Sequence, residues 1–249
     1  MRIATVVRVV LAGTVGLVAP SVAAAQLIPD ARMGPTGRHT VGGGGVYAQP
    51  LGEFGQNVRQ GWGLDGHGTY GVDSRGIFGL RAELGYLQYA SKTEPFSVSN
   101  GFSYYNLESE TKSGVLTLGA GPQLSAPAGS AVRPYVGGTV GFARFATETA
   151  INVPARYSNS GSKETLDQQT VSSDFILSLA AVGGIAFEVG FLGRGVMVDL
   201  GARWHRNGQA TYVSSEGVVY NGSARPTVTA TQSQADFIVY RLGILVPLK

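Results

Sequence analysis

The sequence has no cysteine, and only 14% of its 249 residues are charged. Absence of cysteine excludes a disulfide framework and removes the ligands of most structural zinc sites. With His39, His67 and His205 as the only histidines, no metal centre and no cofactor is expected. The charge content is low for a surface that faces water, where roughly a quarter of residues are usually charged. Long apolar runs are missing too: past the N-terminus no stretch stays apolar for the roughly 18 residues that a membrane helix needs. Yet 43% of the residues are hydrophobic and 37 are glycine. Among membrane-crossing structures this leaves the closed barrel, in which every backbone N–H and C=O pairs with a neighbouring strand.

What is present begins with an export signal. Arg2 and Arg8 form a short basic region, residues 9–19 an apolar core, and Ala23, Ala24 and Ala25 an A-x-A cleavage site, so the mature chain is expected to begin at Gln26. The core is too short for a membrane anchor. Removal takes two arginines and no acid, lowering the formal net charge from +3 to +1 (3 − 2), so the basic character carries no argument for nucleic acid. Residues 26–37 are expected to form an N-terminal periplasmic segment and residues 38–249 one barrel domain.

From about Val41 onward, apolar residues recur with period 2, the mark of strands with two unlike faces. Phe78, Leu80, Ala82, Leu84 and Tyr86 alternate with Gly79, Arg81, Glu83 and Gly85. Leu116, Leu118, Ala120 and Leu124 alternate with Thr117, Gly119, Gly121 and Gln123, and Val136, Val140 and Phe142 oppose Tyr135, Gly137, Thr139 and Gly141. Phe175, Leu177, Leu179, Ile185 and Phe187 stand against Ser178, Gly184 and Glu188. Val196, Val198, Leu200 and Trp204 stand against Asp199, Gly201, Arg203 and His205. The last segment sets Tyr240, Leu242, Ile244, Val246 and Leu248 against Arg241 and Gly243. Two glycine-rich strands near residues 41–50 and 61–72 bring the expected number to eight, an all-β, antiparallel, up-and-down transmembrane barrel.

Connections alternate in length. Short turns are expected at residues 73–76, 126–131 and 190–195, and polar loops at 91–112, 148–172 and 208–234, with a shorter outer loop at 51–59. Membrane barrels keep short turns on the periplasmic side and long loops outside. A soluble barrel such as a lipocalin would also alternate, but its water face would be rich in Lys and Glu. Here the non-apolar face is mostly Gly, Ser, Thr and Ala, which suits the crowded interior of an eight-stranded barrel. Trp62 and Tyr70, Phe78 and Tyr86, and Phe175 and Phe187 bracket apolar bands roughly 20 to 30 Å tall, and with Trp204 they are expected to form two interfacial girdles.

The segment Arg133-Pro134-Tyr135-Val136-Gly137-Gly138-Thr139-Val140-Gly141-Phe142, with Arg241-Leu242-Gly243-Ile244 in the final strand, resembles the OmpA/OmpX/OmpW-like family of outer-membrane β-barrel domains. The resemblance covers essentially the whole mature chain. It implies a bacterial outer-membrane location, insertion by the barrel-assembly machinery, and contact with outer-membrane lipid and lipopolysaccharide. The peptidoglycan-tethering role of the OmpA branch is not expected, because no such domain follows the barrel in this sequence. The family usually ends in an aromatic residue used for insertion; Leu248 is expected to stand in for it, with Ile244 and Tyr240 on the same face.

Motifs for chemistry are few. Residues 61–66 match G-x-G-x-x-G, but a dinucleotide site needs a helix after them, and Gly68, Tyr70 and Gly71 follow instead. Gly190 and Gly195 have P-loop spacing without the Lys and Ser/Thr. A lipid A deacylase would need a nucleophile beside His205, where Asn207 stands, and no nucleophile–base pair is expected. What remains is an inward polar set: Asp65, His67, Arg81, Glu83, Gln123, Tyr135, Glu188, Asp199, Arg203, His205 and Arg241. Strands two and three are expected to pair with Trp62 facing Tyr86 and Tyr70 facing Phe78, with residues 73–75 as the turn. That register sets Asp65 opposite Glu83 and His67 opposite Arg81, so Arg81, Arg203 or Arg241 must stand between the two carboxylates. The expected function is non-enzymatic: a structural or surface-interaction barrel with a side-chain-filled lumen, whose outer loops contact an unidentified extracellular ligand. The alternative is a narrow channel for ions or small solutes, with a lipid A-modifying hydrolase behind it.

Overall fold

Thirteen short and long elements follow one another along the chain in a computed structural model that describes residues 37–99, 104–158, 161–190, 195–221 and 225–248. The expected signal peptide and residues 26–36 lie outside the described residues, as do residues 191–194 of the expected turn. The elements are β1 (His39–Pro50), α1 (Gly52–Asn57), β2 (Gly61–Gly71), β3 (Phe78–Ser99), β4 (Tyr104–Ser125), β5 (Val132–Val153), β6 (Glu164–Glu188) and β7 (Met197–Asn207). Four short strands follow, β8 (Gln209–Tyr212), β9 (Val218–Val219), β10 (Thr227–Val228) and β11 (Thr231–Gln234), and then β12 (Phe237–Leu248). A single 3₁₀ turn, Ala155–Tyr157, lies between β5 and β6.

Strands β1 to β7 and β12 close into one barrel, each antiparallel to its sequence neighbour. The ring shuts between β1 and β12, paired from His39↔Leu248 to Pro50↔Phe237. No helix among the described residues is long and apolar enough to cross a membrane. The strands put their apolar residues outward: Leu84 is 52% exposed, Leu118 57%, Phe142 58% and Leu242 63%. In water such a belt would be costly, and in hydrocarbon it is matched to its solvent. The facings expected from period 2 are therefore present except at Glu188, and the chain is a transmembrane β-barrel.

The connections differ from expectation. Residues 91–99, 104–112, 148–153 and 164–172 are strand rather than loop: β3 and β4 stay paired out to Ser99↔Tyr104, and β5 and β6 out to Val153↔Glu164. Consequently β3, β4, β5 and β6 run 22, 22, 22 and 25 residues, against 12 for β1 and 11 for each of β2 and β7. A membrane strand needs only about 9 to 11. The excess forms a four-stranded wall standing above half of the rim. Residues 51–59 hold α1, and residues 208–234 fold into two small sheets, β8 with β11 and β9 with β10.

One register also differs. Trp62 pairs with Gln88 and Tyr70 with Leu80, so β2 and β3 are offset by two residues from the expected alignment. The turn is the cause. The Asp73 carboxylate accepts the amides of both Arg75, at 3.0 Å, and Phe78, at 2.8 Å, and Gly76 takes φ +65°. This six-residue connection, closed by Val72 N–H to Phe78 O, replaces a tight turn. A shift of two preserves every facing, because the strand period is two.

Candidate functional site

Inside the barrel, the lumen faces of β2, β3, β7 and β12 bring six buried charges together, with Tyr135 of β5 among them. Glu83 lies between Arg81, whose Nε donates to it at 2.8 Å, and Arg203, whose NH1 is 3.0 Å away as an ion pair. Arg203 also donates to Asp65 at 3.0 Å, and Arg241 reaches the same Asp65 oxygen at 3.2 Å. Arg241 further donates to the Tyr135 hydroxyl at 2.7 Å, which donates on to Asp199 at 2.8 Å. Three arginines thus meet three carboxylates. In the observed register His67, not Asp65, lies opposite Glu83, and Arg203 is the cation joining the two carboxylates. Buried charges need opposite charges to be tolerated, and here every carboxylate lies within 3.2 Å of an arginine.

Surrounding residues complete the network. His67 Nδ1 lies 3.0 Å from Arg241 NH1. Arginine can only donate, so Nδ1 accepts and the neutral ring carries its hydrogen on Nε2, which lies 3.8 Å from Asp199. Gln123 accepts from Arg81 at 2.9 Å, and Thr139 donates to Glu83 at 2.9 Å. Glycine makes the room: a Cβ on Gly184 would strike the Tyr135 hydroxyl, and one on Gly201 would sit 2.6 Å from the same oxygen and 3.0 Å from Arg241. Glu188 is not part of this set. It is exposed at the periplasmic end of β6, where it accepts the Gly195 amide at 2.8 Å.

The structure also supplies a pair that the sequence did not suggest. Ser178 Oγ and His205 Nδ1 lie 3.1 Å apart, both buried, so a hydroxyl and a base are within hydrogen-bond reach after all. Ser178 comes from β6, whose pairing places Ala180 opposite His205, so the contact is diagonal. His205 Nε2 has no partner, and its ring stacks on Phe237 at 4.6 Å. An acyl transfer would require substrate access and a group orienting the imidazole. The pair is shut inside the lumen and has neither. Arg133, Thr139 and Ser178 were absent from the expected inward polar set, although the period-2 pattern places each on the lumen face.

Above the charged network the lumen turns apolar. Phe54 of α1, 2% exposed, packs edge-on against Tyr89, Phe145 and Tyr212, with Phe237 beside it. Tyr212 comes from β8, so the folded 208–234 segment contributes to this cap. The Tyr212 hydroxyl joins Asn57 at 3.1 Å and Ser233 at 2.9 Å, and Leu51 N–H meets Asp236 O at 2.9 Å, tying α1 to the same segment. The segment leans on the wall, where Tyr220 hydrogen-bonds Thr111 at 2.9 Å and Lys92 donates to Val218 O at 2.6 Å.

On the outside, Trp62, Tyr70, Phe78, Tyr86, Phe175 and Trp204 are all exposed, and Phe187 partly so. Tyr47 joins the outer set, with its ring 4.7 Å from Trp62 and 6.3 Å from Tyr240. Higher up, the wall has two edges. Over residues 89–99 β3 has a strand partner on one side only, and over residues 164–173 so does β6. The β3 edge carries Lys92 and Pro95, which blunt strand addition, whereas residues 164–173 of β6 contain neither Lys nor Pro.

No protein-family model and no curated protein sequence matches the chain. Among solved structures it is similar to Neisserial surface protein A, at 13% identity and a TM-score of 0.46, over 87% of this chain and 100% of that one. It is also similar to Ail, the attachment invasion locus protein of Yersinia pestis, at 11% identity and a TM-score of 0.40, over 83% and 95%. These likenesses are loose, and the assignment of fold rests on strand number, closure, next-neighbour connectivity and the outward apolar belt. By those features the chain has the fold of the eight-stranded outer-membrane β-barrels of the OmpA/OmpX type.

Proposed function

We propose that this protein is a surface-interaction barrel of the bacterial outer membrane, exported with removal of its signal peptide, in which the lumen serves stability and the external wall serves contact. The observation that carries the reading is the stacking of two closures in one narrow lumen: the Arg81–Glu83–Arg203–Asp65–Arg241–Asp199 network with the Phe54-centred cap above it. Material spent on a wall above the membrane is not needed for a pore. The open β6 edge suits an extended segment added as a further strand, the mode in which backbone hydrogen bonds supply affinity. Lipopolysaccharide and the assembly machinery are the partners that this location implies.

The narrow-channel reading keeps one supporting observation. Asp65 Oδ1, Arg203 Nε and Arg241 Nε are buried without hydrogen-bond partners among the described residues, around a space of about 10 Å³, the size of one water, bordered by Asp65, Arg203 and Arg241. Single-channel recording of the refolded protein in planar bilayers separates the two. Silence at ordinary voltages is expected, and steady porin-like conductance overturns the proposal. Binding to surfaces should fall in the double variant Leu166→Lys, Gln168→Lys on the β6 edge, with folding and conductance unchanged.

A further inference from the structure

At the short-turn end of the lumen, one cation has no ion-pair partner among the described residues. Arg133, 7% exposed, donates to Ala126 O at 3.3 Å, Gly37 O at 3.1 Å and Gly76 O at 3.5 Å. All three acceptors are neutral carbonyls. The three arginines of the central network are already matched by its three carboxylates. At this end Asp73 and Glu188 are engaged by the amides of their own turns, and no ion pair reaches Arg133 among the described residues. A guanidinium offers five N–H donors, so two remain beyond these contacts. A buried charge left uncompensated is strongly unfavourable.

The space beside Arg133 is lined with donors. Thr40, Thr69, Gln123, Ser125, Tyr135 and Leu245 share with it the wall of a chamber of about 10 Å³, room for one small sphere, and no carboxylate among the described residues lines that chamber. The Gln123 carbonyl is already occupied by Arg81 NH1 at 2.9 Å and Thr69 at 3.5 Å. Its amide nitrogen donates to Ser125 Oγ at 2.9 Å, leaving the Ser125 hydrogen to point elsewhere. The chamber therefore presents N–H and O–H hydrogens around a surplus positive charge. Ser125 is the least buried residue of the wall, which puts the mouth on the side of the short turns.

We propose that this chamber binds one small inorganic anion of halide size, with Arg133 as its counter-charge and the Ser125 and Thr40 hydroxyls as further donors. A space this small excludes a phosphorylated headgroup. The anion supplies the counter-charge that Arg133 lacks among the described residues.

Bromide is the probe. Crystals of the refolded protein grown in sodium bromide are expected to show an anomalous peak within hydrogen-bond distance of the Arg133 guanidinium. In detergent solution, the unfolding midpoint is expected to rise and saturate with bromide, but not with gluconate at equal ionic strength. Arg133→Gln should abolish that rise. Ser125→Ala, which alters no charge and keeps the test readable if Arg133→Gln does not fold, should move half-saturation several-fold higher. The proposal is overturned by the absence of a peak at Arg133, by an equal response to gluconate, or by a bromide response that Ser125→Ala leaves unchanged.

Discussion

Tyr135 reinforces two charges already 2.8 Å apart as an ion pair, because its hydroxyl accepts from Arg241 and donates to Asp199. Tyr135→Phe keeps the ring and strips both bonds, so a loss of about 1 to 3 kcal/mol in the denaturant-unfolding free energy is expected. Arg81→Ala leaves Glu83 with Arg203 alone and should destabilise more than Arg81→Ala combined with Glu83→Ala, since breaking a buried pair costs more than removing it. Single-channel conductance of that double variant should exceed wild type, and equality would show that these side chains do not limit the path. Asp73 gives a pH test outside the membrane. The Phe78 amide, chiefly, holds its carboxyl below the ordinary value, so its stabilisation is present at neutral pH and is lost as pH falls through the folded value. Asp73→Ala should therefore lower the unfolding midpoint at neutral pH, with the gap to wild type vanishing in strong acid. At this scale the sequence was readable for facing and poorly readable for partners. Period 2 places Asp65, Arg81 and Arg203 inside, but which of them touch depends on a register set by the Asp73 turn. The Ser178–His205 contact is diagonal across two strands and leaves no local signature.

Strands inside the bilayer announced themselves because one face must be apolar, as with Leu80, Leu84 and Leu118. Above the bilayer that demand ends. Segments such as Thr165 to Thr170 of β6 then carry polar residues on both faces and read as loop, although their backbone pairing with β5 continues. Folding of residues 208–234 against the barrel mouth was equally hidden, since Tyr212 and Val213 are buried by contacts distant in sequence. Two substitutions test these elements. Leu118→Arg puts a charge in the lipid belt and should cost about 2 to 4 kcal/mol of barrel stability, seen as a loss of folded yield in vesicles. Phe54→Ala removes the centre of the aromatic cap and should cost about 3 to 5 kcal/mol. A six-residue helix has little stability of its own, so α1 should detach first, read as faster amide exchange in residues 52–57 than in β1.

The whole molecule places its short turns at one end and its wall at the other, so an epitope tag beside Gly161 should bind antibody on intact cells. Labelling only after the envelope is broken would reverse the topology. Gly161 suits an insertion, being exposed at φ +66° with open space around it. The wall has a further consequence in the plane of the membrane. Because β3 to β6 stand tall while β1, β2, β7 and β12 stop near the lipid, and residues 208–234 lean toward the tall side, the protein has a front and a back. Neighbours in a crowded bilayer can press against the low half without touching the wall, leaving the wall clear of them. A ligand large enough to reach lipid, such as an antibody or a phage fibre, has to come in over the low half. Crowding by membrane neighbours and the approach of a large ligand therefore compete for the same low flank.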